Sequence, residues 1–434
     1  MKSAVFGERS GHLVQPALAA IAGTAGIAKL ALSTTADQEL RVCVCDNVQE
    51  LVHLQPAWEE LLSASPIASI FSTWEWLVPW WRAFGGGQKL IVLAFYDSRS
   101  SLVGLAPLEL IARRKAGVTL QVIRLMGDGS GDSDNLDILG RPGFETQITA
   151  AFLKFLKEEF RRWDVCELNR LPEASTAGRQ VLHHLQKSGW PNVLKAQPCS
   201  VVTLPESWEC YQKMLSSKER GKINYLSRRL EKKHQVRFYK CTQLSELSTC
   251  LDALFQLHQK RWELQGDRGT FRSAARRDFY YETSHLLLER ERLQFWLLEL
   301  DGKPVAALFG FRYRDTVYAL QEGFDPSYSL DSVGYVLRAY MLKQLIAGGV
   351  RRYDFLAGTS PSKTRWGAQT EQYMNIHFAM PFTCGSLYLH VIHHIRESKE
   401  WLRSRLPRSA WAVLHRINVH LRGQRRKASV AAQP

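Results

Sequence analysis

Apolar runs alternate with helically spaced apolar residues along most of the chain, and residues 316–358 show the pattern most clearly. Residues 317–320 form an unbroken apolar run that continues to Phe324, which predicts a strand covered on both faces. After a loop at 325–327, apolar residues recur at helical spacing from Val333 to Leu345, and two glycines end the helix. Residues 352–356 predict a second strand, so the stretch is a strand–helix–strand crossover.

The start of this helix is a candidate anion site. Asp331 or Ser332 is the predicted N-cap, because either side chain accepts a hydrogen bond from an amide of the first turn. Free amides and the positive end of the helix dipole bind anions such as a pyrophosphate. Most crossovers hold no phosphate, so the pattern alone gives a hypothesis.

The same patterning predicts two successive sets of elements with a common order. The first set has helices at 48–62, 74–84, 145–161 and 177–188 and strands at 89–96, 102–111, 118–125 and 163–168. The second has strands at 200–204, 236–240 and 374–380, helices at 208–215, 218–233, 245–264 and 274–290, and a meander from 293 into the crossover.

We infer a structural duplication and an α/β (α+β) fold, in which two tandem domains each have a mixed, mostly antiparallel sheet flanked by helices. The predicted domains are 39–198 and 199–384, between a disordered leader at 1–38 and a basic helical tail at 385–434. A cleaved signal is the alternative for the leader, whose Ala-rich stretch is too weakly apolar to span a membrane.

The positive charge of the chain is concentrated in two segments, and each segment is a candidate binding surface. The chain of 434 residues has a formal net charge of +15. Ten basic and two acidic residues lie between 213 and 240, and ten basic and two acidic residues follow Gly385. The first cluster is either a solvated basic face or a contact with phosphates of a cofactor, lipid or RNA. The tail lies on an anionic membrane surface, docks on a partner or is a solvated terminal helix.

Three other local features give less information about function. The eight cysteines form no C-x-x-C pair, which favours reduced thiols in a cytoplasmic protein. The four tryptophans at 74–81 predict packing under a sheet better than a base-stacking platform. The acidic, Gly-rich segment 127–137 fits neither a dinucleotide loop nor a calcium loop, so we interpret it as a loop.

Several motifs in order resemble the GNAT acyltransferase superfamily, specifically its cellulose-biosynthesis-associated (CelD-type) branch, which is related to the FemAB peptidyl transferases. They are FSTWEWL at 71–77, SDNLD at 133–137, LHQKRW at 257–262, QEGFDP at 321–326, DFLAG at 354–358 and KTRWG at 363–367. The resemblance covers about residues 45–380. Residues 359–362 depart from the acidic and Tyr-containing pattern of that family, which bears on substrate contacts there.

The resemblance implies two GNAT-like domains, the second of which binds acyl-CoA, such as acetyl-CoA, in a splayed sheet. Cofactor contacts are then expected at Gln321, Ser332, Val333, Gly334 and Tyr335, with the pyrophosphate on the amides of 332–335. It implies substrate contacts at the following side chains: Arg261, Trp262, Lys363, Arg365 and Trp366. No metal is expected, because the histidines at 390–394 have no acidic or Cys partner nearby.

Attack of an amine on a thioester needs a base and a stabilised oxyanion. Strand alternation places Tyr318, Leu320 and Glu322 on one face, which makes Glu322 a candidate base through a water. Asp354, at the end of the neighbouring strand, is the rival base, and Tyr335 is a candidate proton donor to the thiolate. Strand-end hydrogen bonds, salt bridges and core packing are the structural alternatives for these residues.

The function predicted is N-acylation of an amine acceptor, a small molecule or glycan precursor, in exopolysaccharide or cell-envelope synthesis. The first alternative is a FemAB-like aminoacyl-tRNA-dependent transferase, in which helix 218–233 binds RNA. The second is a catalytically degenerate scaffold at a polysaccharide synthase. In each case the protein is expected to be cytoplasmic, with the tail at 386–434 as a candidate contact with the inner membrane face or the synthase.

Overall fold

A computed structural model describes residues 39–115, 117–264, 266 and 269–405. The predicted leader and the tail beyond 405 lie outside the described residues. The N-terminal half, to residue 203, contains β1 (Arg41–Cys45), α1 (Val48–Ala64), α2 (Trp74–Phe84), β2 (Lys89–Tyr96), β3 (Leu102–Lys115), β4 (Val118–Leu125), β5 (Leu139–Gly140), α3 (Glu145–Lys154), β6 (Val165–Pro172), α4 (Thr176–Lys187) and β7 (Asn192–Thr203).

The C-terminal half repeats this order behind two extra helices. It contains α5 (Trp208–Met214), α6 (Ser217–Lys233), β8 (Val236–Lys240), α7 (Leu244–Glu263), α8 (Ala274–Glu289), β9 (Leu293–Leu300), β10 (Lys303–Tyr313), β11 (Thr316–Phe324), α9 (Val333–Ala347), β12 (Arg352–Ala357), α10 (Pro361–Thr364), β13 (Gln369–Phe378) and α11 (Cys384–Arg405). β7 begins at Asn192, earlier than the predicted Ser200, and α3 ends at Lys154, where a π-helical turn follows.

The two halves share one sheet of thirteen strands in the described residues. The order is β1-β2-β3-β4-β6-β13-β7-β12-β11-β10-β9-β8, with β5 paired to β3. Each half gives its last strand to the other, because β7 pairs with β12, and β13 pairs with β6. Among the strands that the structure describes, only β4–β6 and β11–β12 pair in parallel. The predicted α/β class with a mixed, mostly antiparallel sheet is confirmed, whereas the two-domain division stays a prediction.

The duplication extends to a local irregularity. β6 carries a bulge between Leu168 and Leu171, and β12 carries one between Asp354 and Ala357. Each bulge includes a residue with positive φ, Arg170 at 58° and Leu356 at 61°. Non-glycine residues seldom adopt this conformation, so its recurrence at matching positions supports the inferred duplication.

Helices cover the sheet on both faces. The tryptophans of α2 pack as predicted, since Trp76 makes edge contacts with Phe71, Phe279 and Phe311 in the larger core. A second core lies between α6, α9 and the other face of the C-terminal strands. Burying such side chains contributes about 1.5–3 kcal/mol each. The structure thereby fixes α9 against β9, β10 and β11, next to the parallel pair that frames the candidate site.

α11 leaves the sheet beside β6. Gly385 allows this exit, because a Cβ at this position would lie 1.6 Å from the carbonyl oxygen of Asp164. Leu389 is buried against Val165, whereas Leu387, Val391 and Ile395 are exposed on another side of the helix. No helix in the described part of the chain is long and apolar enough to cross a membrane.

Candidate functional site

The parallel pair β11–β12 opens into a cleft. The two strands are paired only from Thr316–Arg352 to Tyr318–Asp354, and beyond that they continue without pairing to Phe324 and Ala357. A cavity of about 670 Å³ lies there, lined by both strands, α7, α9 and the segment 362–366. We call it the β11–β12 cleft. Its volume is within the range of small-molecule and cofactor sites.

A bulge in β11 shapes this cleft. Phe309 pairs with Gln321 and Gly310 with Ala319, so Leu320 is the extra residue. Gly310 permits the close approach, because a Cβ there would lie 2.2 Å from the carbonyl oxygen of Tyr318. A bulge leaves its extra residue outside the regular hydrogen-bond ladder. The amide of Leu320, on a residue that lines the cleft, is therefore a candidate donor to an oxyanion.

The bulge also corrects one expectation. Tyr318 pairs across the strands with Phe311 and packs on Phe71, whereas Glu322 pairs with Leu308 and turns to Arg338 of α9. Cross-strand partners share a face of the sheet. Because the extra residue shifts the alternation by one, Glu322 lies on the opposite face from Tyr318. The prediction of a common face was wrong.

Glu322 is held between two arginines. Arg261 Nη1 donates to its Oε1 at 2.7 Å, and Arg338 contacts its Oε2. The side chain is 41% exposed although it lies deep in the molecule, because it faces the cleft. Burial opposes charge on this carboxyl, but the two arginines hold its pKa below the ordinary value. The carboxylate is therefore charged at neutral pH and intrinsically weak as a base.

Asp354 is placed differently. It is 1% exposed, does not line the cleft, and accepts hydrogen bonds from Leu356 N at 2.7 Å and Asn135 Nδ2 at 3.3 Å. Burial raises its pKa to about 6, which matches a base better than Glu322 does. Its position favours the structural alternative, a carboxylate that holds the bulge of β12.

The start of α9 carries an incomplete cap. Ser332 is the N-cap in a left-handed conformation, and its side chain caps no amide. Asp331 instead forms ion pairs with Arg229 and Lys233. The amides of Ser332 and Tyr335 donate within the turn, to Ser329 and Ser332 carbonyls.

The first turn of α9 therefore has no side-chain cap and no acidic residue. Val333 and Gly334 of this turn both line the cleft, so the helix start faces the place where an anion would bind. Gln321, the remaining predicted cofactor contact, also lines it, and its amide lies 3.5 Å from Asp132.

Tyr335 lines the cleft with its proton already engaged. Its hydroxyl donates to Glu219 Oε2 at 2.6 Å, its ring packs at 4.5 Å on the Trp366 ring with a tilt of 34°, and Lys222 lies 4.7 Å above the ring. Burial and Glu219 raise its pKa, so the phenol is neutral. These contacts join α6 to the mouth of the cleft.

The predicted substrate contacts all line the cleft, but several are occupied. Lys363 Nζ donates to four carbonyl oxygens of residues 355–358 at 2.8–3.2 Å. Trp262 Nε1 donates to His258 Nε2 at 2.8 Å, and Tyr211 donates to the carbonyl of buried Trp366. Arg365 is exposed at the rim. The proposed roles stay predictions, with Arg261 and Arg365 the most available to a ligand.

The sequence analysis missed three cleft-lining side chains. Arg338 is a single buried cation in an apolar helix, and this is the signal that could have identified it. His258 is 2% exposed with a pKa lowered by burial to about 4, so it is neutral. Arg170 comes from β6 in the other half, and no sequence pattern brings it here.

Cationic side chains predominate in the cleft. Five cations and two anions line it: Arg170, Arg261, Arg338, Lys363 and Arg365 against Asp134 and Glu322. Burial lowers the pKa of Lys363, so this cation loses its charge more readily than an ordinary lysine does. The excess of positive charge favours an anionic ligand.

Comparisons with known proteins identify one family model and several solved structures that are similar to this chain. Residues 217–364 match the family model of an acetyltransferase (GNAT) domain, a segment that includes α6, the cleft and α10. The crystal structure of FemX is similar with a TM-score of 0.55 and 11% identity, over 78% of this chain and 98% of that chain. This likeness supports the fold alone.

Two further solved structures are more distant. The C-terminal domain of a putative lysylphosphatidylglycerol synthetase from Agrobacterium fabrum has a TM-score of 0.46 and 11% identity, over 78% of this chain and 95% of that one. A tandem GNAT protein from the clavulanic acid biosynthesis pathway has 0.42 and 12%, over 79% and 98%. No curated protein matches the sequence. The matched segment is thus similar to an acetyltransferase (GNAT) domain, and the CelD-type branch is not confirmed.

Proposed function

We propose that the protein transfers an acyl group from acyl-CoA to an amine and that the reaction takes place in the β11–β12 cleft. The observation that carries this proposal is the combination of a splayed parallel pair with a helix start in α9 that has no side-chain cap, inside a cationic cavity. The pyrophosphate of CoA would bind at Val333 and Gly334, and the pantetheine arm would lie between the strands. Arg338 and Arg261 would supply positive charge.

In this proposal the thioester carbonyl lies near the β11 bulge. The nitrogen of the amine attacks the carbonyl carbon, the C–S bond breaks, and the amine loses a proton while CoA leaves as thiolate or thiol. The amide of Leu320 would stabilise the oxyanion. Glu322, charged and facing the cleft, is the candidate acceptor of the proton through water, and its low basicity makes a water relay preferable to direct transfer.

Titration calorimetry with CoA tests the proposal. We expect binding of one CoA per chain and release of thiol from acetyl-CoA when an acceptor amine is present. No heat together with no shift of thermal unfolding would contradict it. Full turnover of Glu322→Gln would remove Glu322 as the proton acceptor and leave the binding proposal intact.

A more specific part of the proposal concerns the biosynthetic pathway and the branch of the GNAT superfamily. The motifs at 71–77, 133–137 and 354–358 are the reason to propose a CelD-type enzyme of exopolysaccharide or envelope synthesis that acts on a glycan-precursor amine. Mass spectrometry of surface glycans and nucleotide sugars from cells with and without the protein tests this. An unchanged set of N-acylated sugars would contradict it.

A second candidate is transfer from an aminoacyl-tRNA, and the surface of α6 favours it. Lys218, Lys222, Tyr225, Arg229 and Lys232 recur at helical spacing along one face. Tyr225 is 63% exposed between these cations, an arrangement suited to stacking on a base beside phosphates. The contacts of Lys222 and Glu219 with Tyr335 place this face at the mouth of the cleft.

Retention of charged tRNA distinguishes the two functions. Binding lost in Lys218→Glu/Lys232→Glu and kept in Lys187→Glu, an exposed position on α4, would favour the tRNA-dependent reaction. Equal, weak retention by all three proteins would contradict it. A degenerate scaffold is the remaining reading, and absence of CoA binding combined with vesicle binding through the tail would support it.

A further inference from the structure

A second depression adjoins the mouth of the β11–β12 cleft. Its volume is about 630 Å³, within the range of small-molecule sites, and it lies between residues 214–219 on one side and residues 359–367 on the other. We call it the α5–α10 groove, after the helices on its two sides. Arg365 lines both the groove and the cleft, so the two cavities meet at this side chain. A ligand longer than the cleft can therefore continue into the groove.

The groove lies beside the start of α9. Glu219 lines the groove, and its carboxylate accepts a hydrogen bond at 2.6 Å from the hydroxyl of Tyr335, which belongs to the first turn of α9. The ring of Trp366, the residue after Arg365, packs on the Tyr335 ring at 4.5 Å. Leu320 of the β11 bulge lines the cleft and not the groove. The groove therefore adjoins the proposed pyrophosphate position, not the proposed thioester position.

Arg365 is an available cation at the junction of the two cavities. Its side chain is exposed and forms no ion pair with any residue that the structure describes, and its Nε donates to the carbonyl of Pro361 at 3.4 Å. The terminal nitrogens of a guanidinium form a fork that matches two oxygens of a phosphate. Lys222 brings a second positive charge, since its Nζ lies 4.7 Å from the centroid of the Tyr335 ring. A phosphate beside Arg365 would thus meet two cations.

The rest of the groove is neutral and has both hydroxyl and apolar side chains. Met214 is 51% exposed next to Leu215, which is buried. A methionine side chain is flexible and polarizable, so it packs well against a flat aromatic ring. Four side chains that line the groove carry hydroxyl groups: Ser216, Thr359, Ser360 and Thr364. An apolar surface, hydroxyl groups and an arginine together suit a purine nucleoside that carries a phosphate.

We propose that the α5–α10 groove binds the adenosine 3′-phosphate end of acyl-CoA, with the 3′-phosphate on Arg365. The acyl donor is then a free CoA thioester and not the phosphopantetheine arm of a carrier protein, which has no nucleoside to place in the groove. This inference rests on the proposed function, since it assigns the part of the donor beyond the pyrophosphate. A pyrophosphate at the start of α9, with pantetheine between the strands, leaves the ribose beside Arg365.

Titration calorimetry of the full chain with three donors tests the groove. The donors are CoA, 3′-dephospho-CoA, which lacks only the 3′-phosphate, and 4′-phosphopantetheine, which also lacks the adenosine and one phosphate of the pyrophosphate. The wild type is expected to bind CoA about tenfold more tightly than dephospho-CoA, because a charge-assisted hydrogen bond contributes about that factor. Phosphopantetheine is expected to bind at least tenfold more weakly than dephospho-CoA.

Arg365→Gln removes the cation from the groove. This variant should bind CoA and dephospho-CoA within threefold of each other, and its affinity for dephospho-CoA should stay within threefold of the wild-type value. Arg365→Lys, which keeps the charge without the fork, should restore part of the preference for CoA. Arg99→Gln is the control, because Arg99 is an exposed arginine in the turn between β2 and β3. It should keep the full preference.

Three results would overturn the groove as the adenosine site: equal binding of CoA and dephospho-CoA by the wild type, an undiminished preference in Arg365→Gln, or phosphopantetheine binding as tightly as CoA. If the wild type binds none of the three donors, the proposed function fails. Adenosine 3′,5′-bisphosphate and AMP, titrated on the same protein, then decide the groove. A preference for the bisphosphate that Arg365→Gln abolishes would support a nucleotide site, and equal binding of the two would overturn it.

Discussion

The parallel strand pairs of the two halves, β4–β6 and β11–β12, have the same topology but differ in the side chains that lie beside them. At β4–β6, the buried carboxylate of Glu109 pairs with Arg124 at 2.6 Å, and Glu167 pairs with Arg113 at 2.6 and 2.9 Å. Arg124 and Glu167 are the last register partners of that strand pair. Beyond the last register partners of β11–β12 lies the cleft, where Glu322 and its two arginines face a cavity.

The helices that follow β4 and β11 also differ, because one has a carboxylate at its start and the other does not. The first turn of α3 begins with Glu145, whose carboxylate accepts from Gly143 N at 2.7 Å. The first turn of α9 has no acidic residue and no side-chain cap. A carboxylate at a helix start takes the place of an external anion. Under the proposed function, the duplication sets the shape of both halves, and a few charged positions decide which half binds a ligand.

The largest expected effect is on the filled junction. Arg124→Leu leaves Glu109, which is fully buried, without its cation, and should reduce the free energy of unfolding by about 3–5 kcal/mol at pH 8. The loss should be smaller at pH 6, because burial raises the pKa of Glu109 to about 7 and the carboxyl can take a proton. Denaturant unfolding at both pH values measures it. Unchanged stability at pH 8 would show that the junction is not a charge-filled site.

The second prediction gives α9 the acid that α3 has. Gly334→Glu should weaken CoA binding at least 100-fold, about 2.7 kcal/mol, because its carboxylate competes with the pyrophosphate. The backbone tolerates the change, since a Cβ at 334 would meet only Phe324 at ordinary contact distances of 3.7 and 3.9 Å. Gly334→Ala is the control, expected within threefold of the wild type in titration calorimetry. Equal affinity of the Glu and Ala variants would refute the anion site.

The third prediction concerns pH. Burial raises the pKa of Asp137 to about 7, so the folded state binds more protons than the unfolded state between about pH 4 and 7. The contribution of this group to stability is thus greatest below this window and falls as pH rises through it. In Asp137→Asn the fall should be correspondingly smaller. Parallel pH profiles of variant and wild type would contradict the assignment.

The smallest expected effect is on attachment to lipid vesicles, which should be independent of CoA binding. We expect vesicles with anionic lipid to bind the chain through α11, which packs on Val165 of the N-terminal half and exposes Leu387, Val391 and Ile395. Replacing these three by Ser should weaken cosedimentation severalfold without changing CoA affinity. Val118→Ser, at an exposed position in β4, is the control. Equal sedimentation with neutral and anionic vesicles would contradict a contribution of electrostatic attraction to vesicle binding.

Much of the fold followed from local patterns. Apolar runs and helical spacing gave nearly every element, because each buries one or both faces in a regular way. The exchange of β7 and β13 between halves could not follow from them, since strand pairing between distant segments leaves no periodic trace. Ends also differed where tertiary packing extends a strand, as at Asn192.

The candidate site was predicted only in part. Glu322, Gly334 and Tyr335 lie in the cleft because the crossover that carries them is contiguous in sequence. The bulge at Leu320 reversed the predicted face of Glu322, and a bulge depends on the neighbouring strand, which sequence alternation ignores. Asp134 and Arg170 reach the cleft from another half, through the loop after β4 and the bulge of β6.

The stoichiometry of CoA binding, measured by titration calorimetry on the full chain, tests most directly the claim that one half is open and the other filled. The account predicts one CoA per chain, with that single site lost in Gly334→Glu and retained in Gly334→Ala. Two sites per chain would contradict the filled junction at β4–β6. Absence of binding, or a single site that Gly334→Glu leaves intact, would contradict the assignment of the β11–β12 cleft.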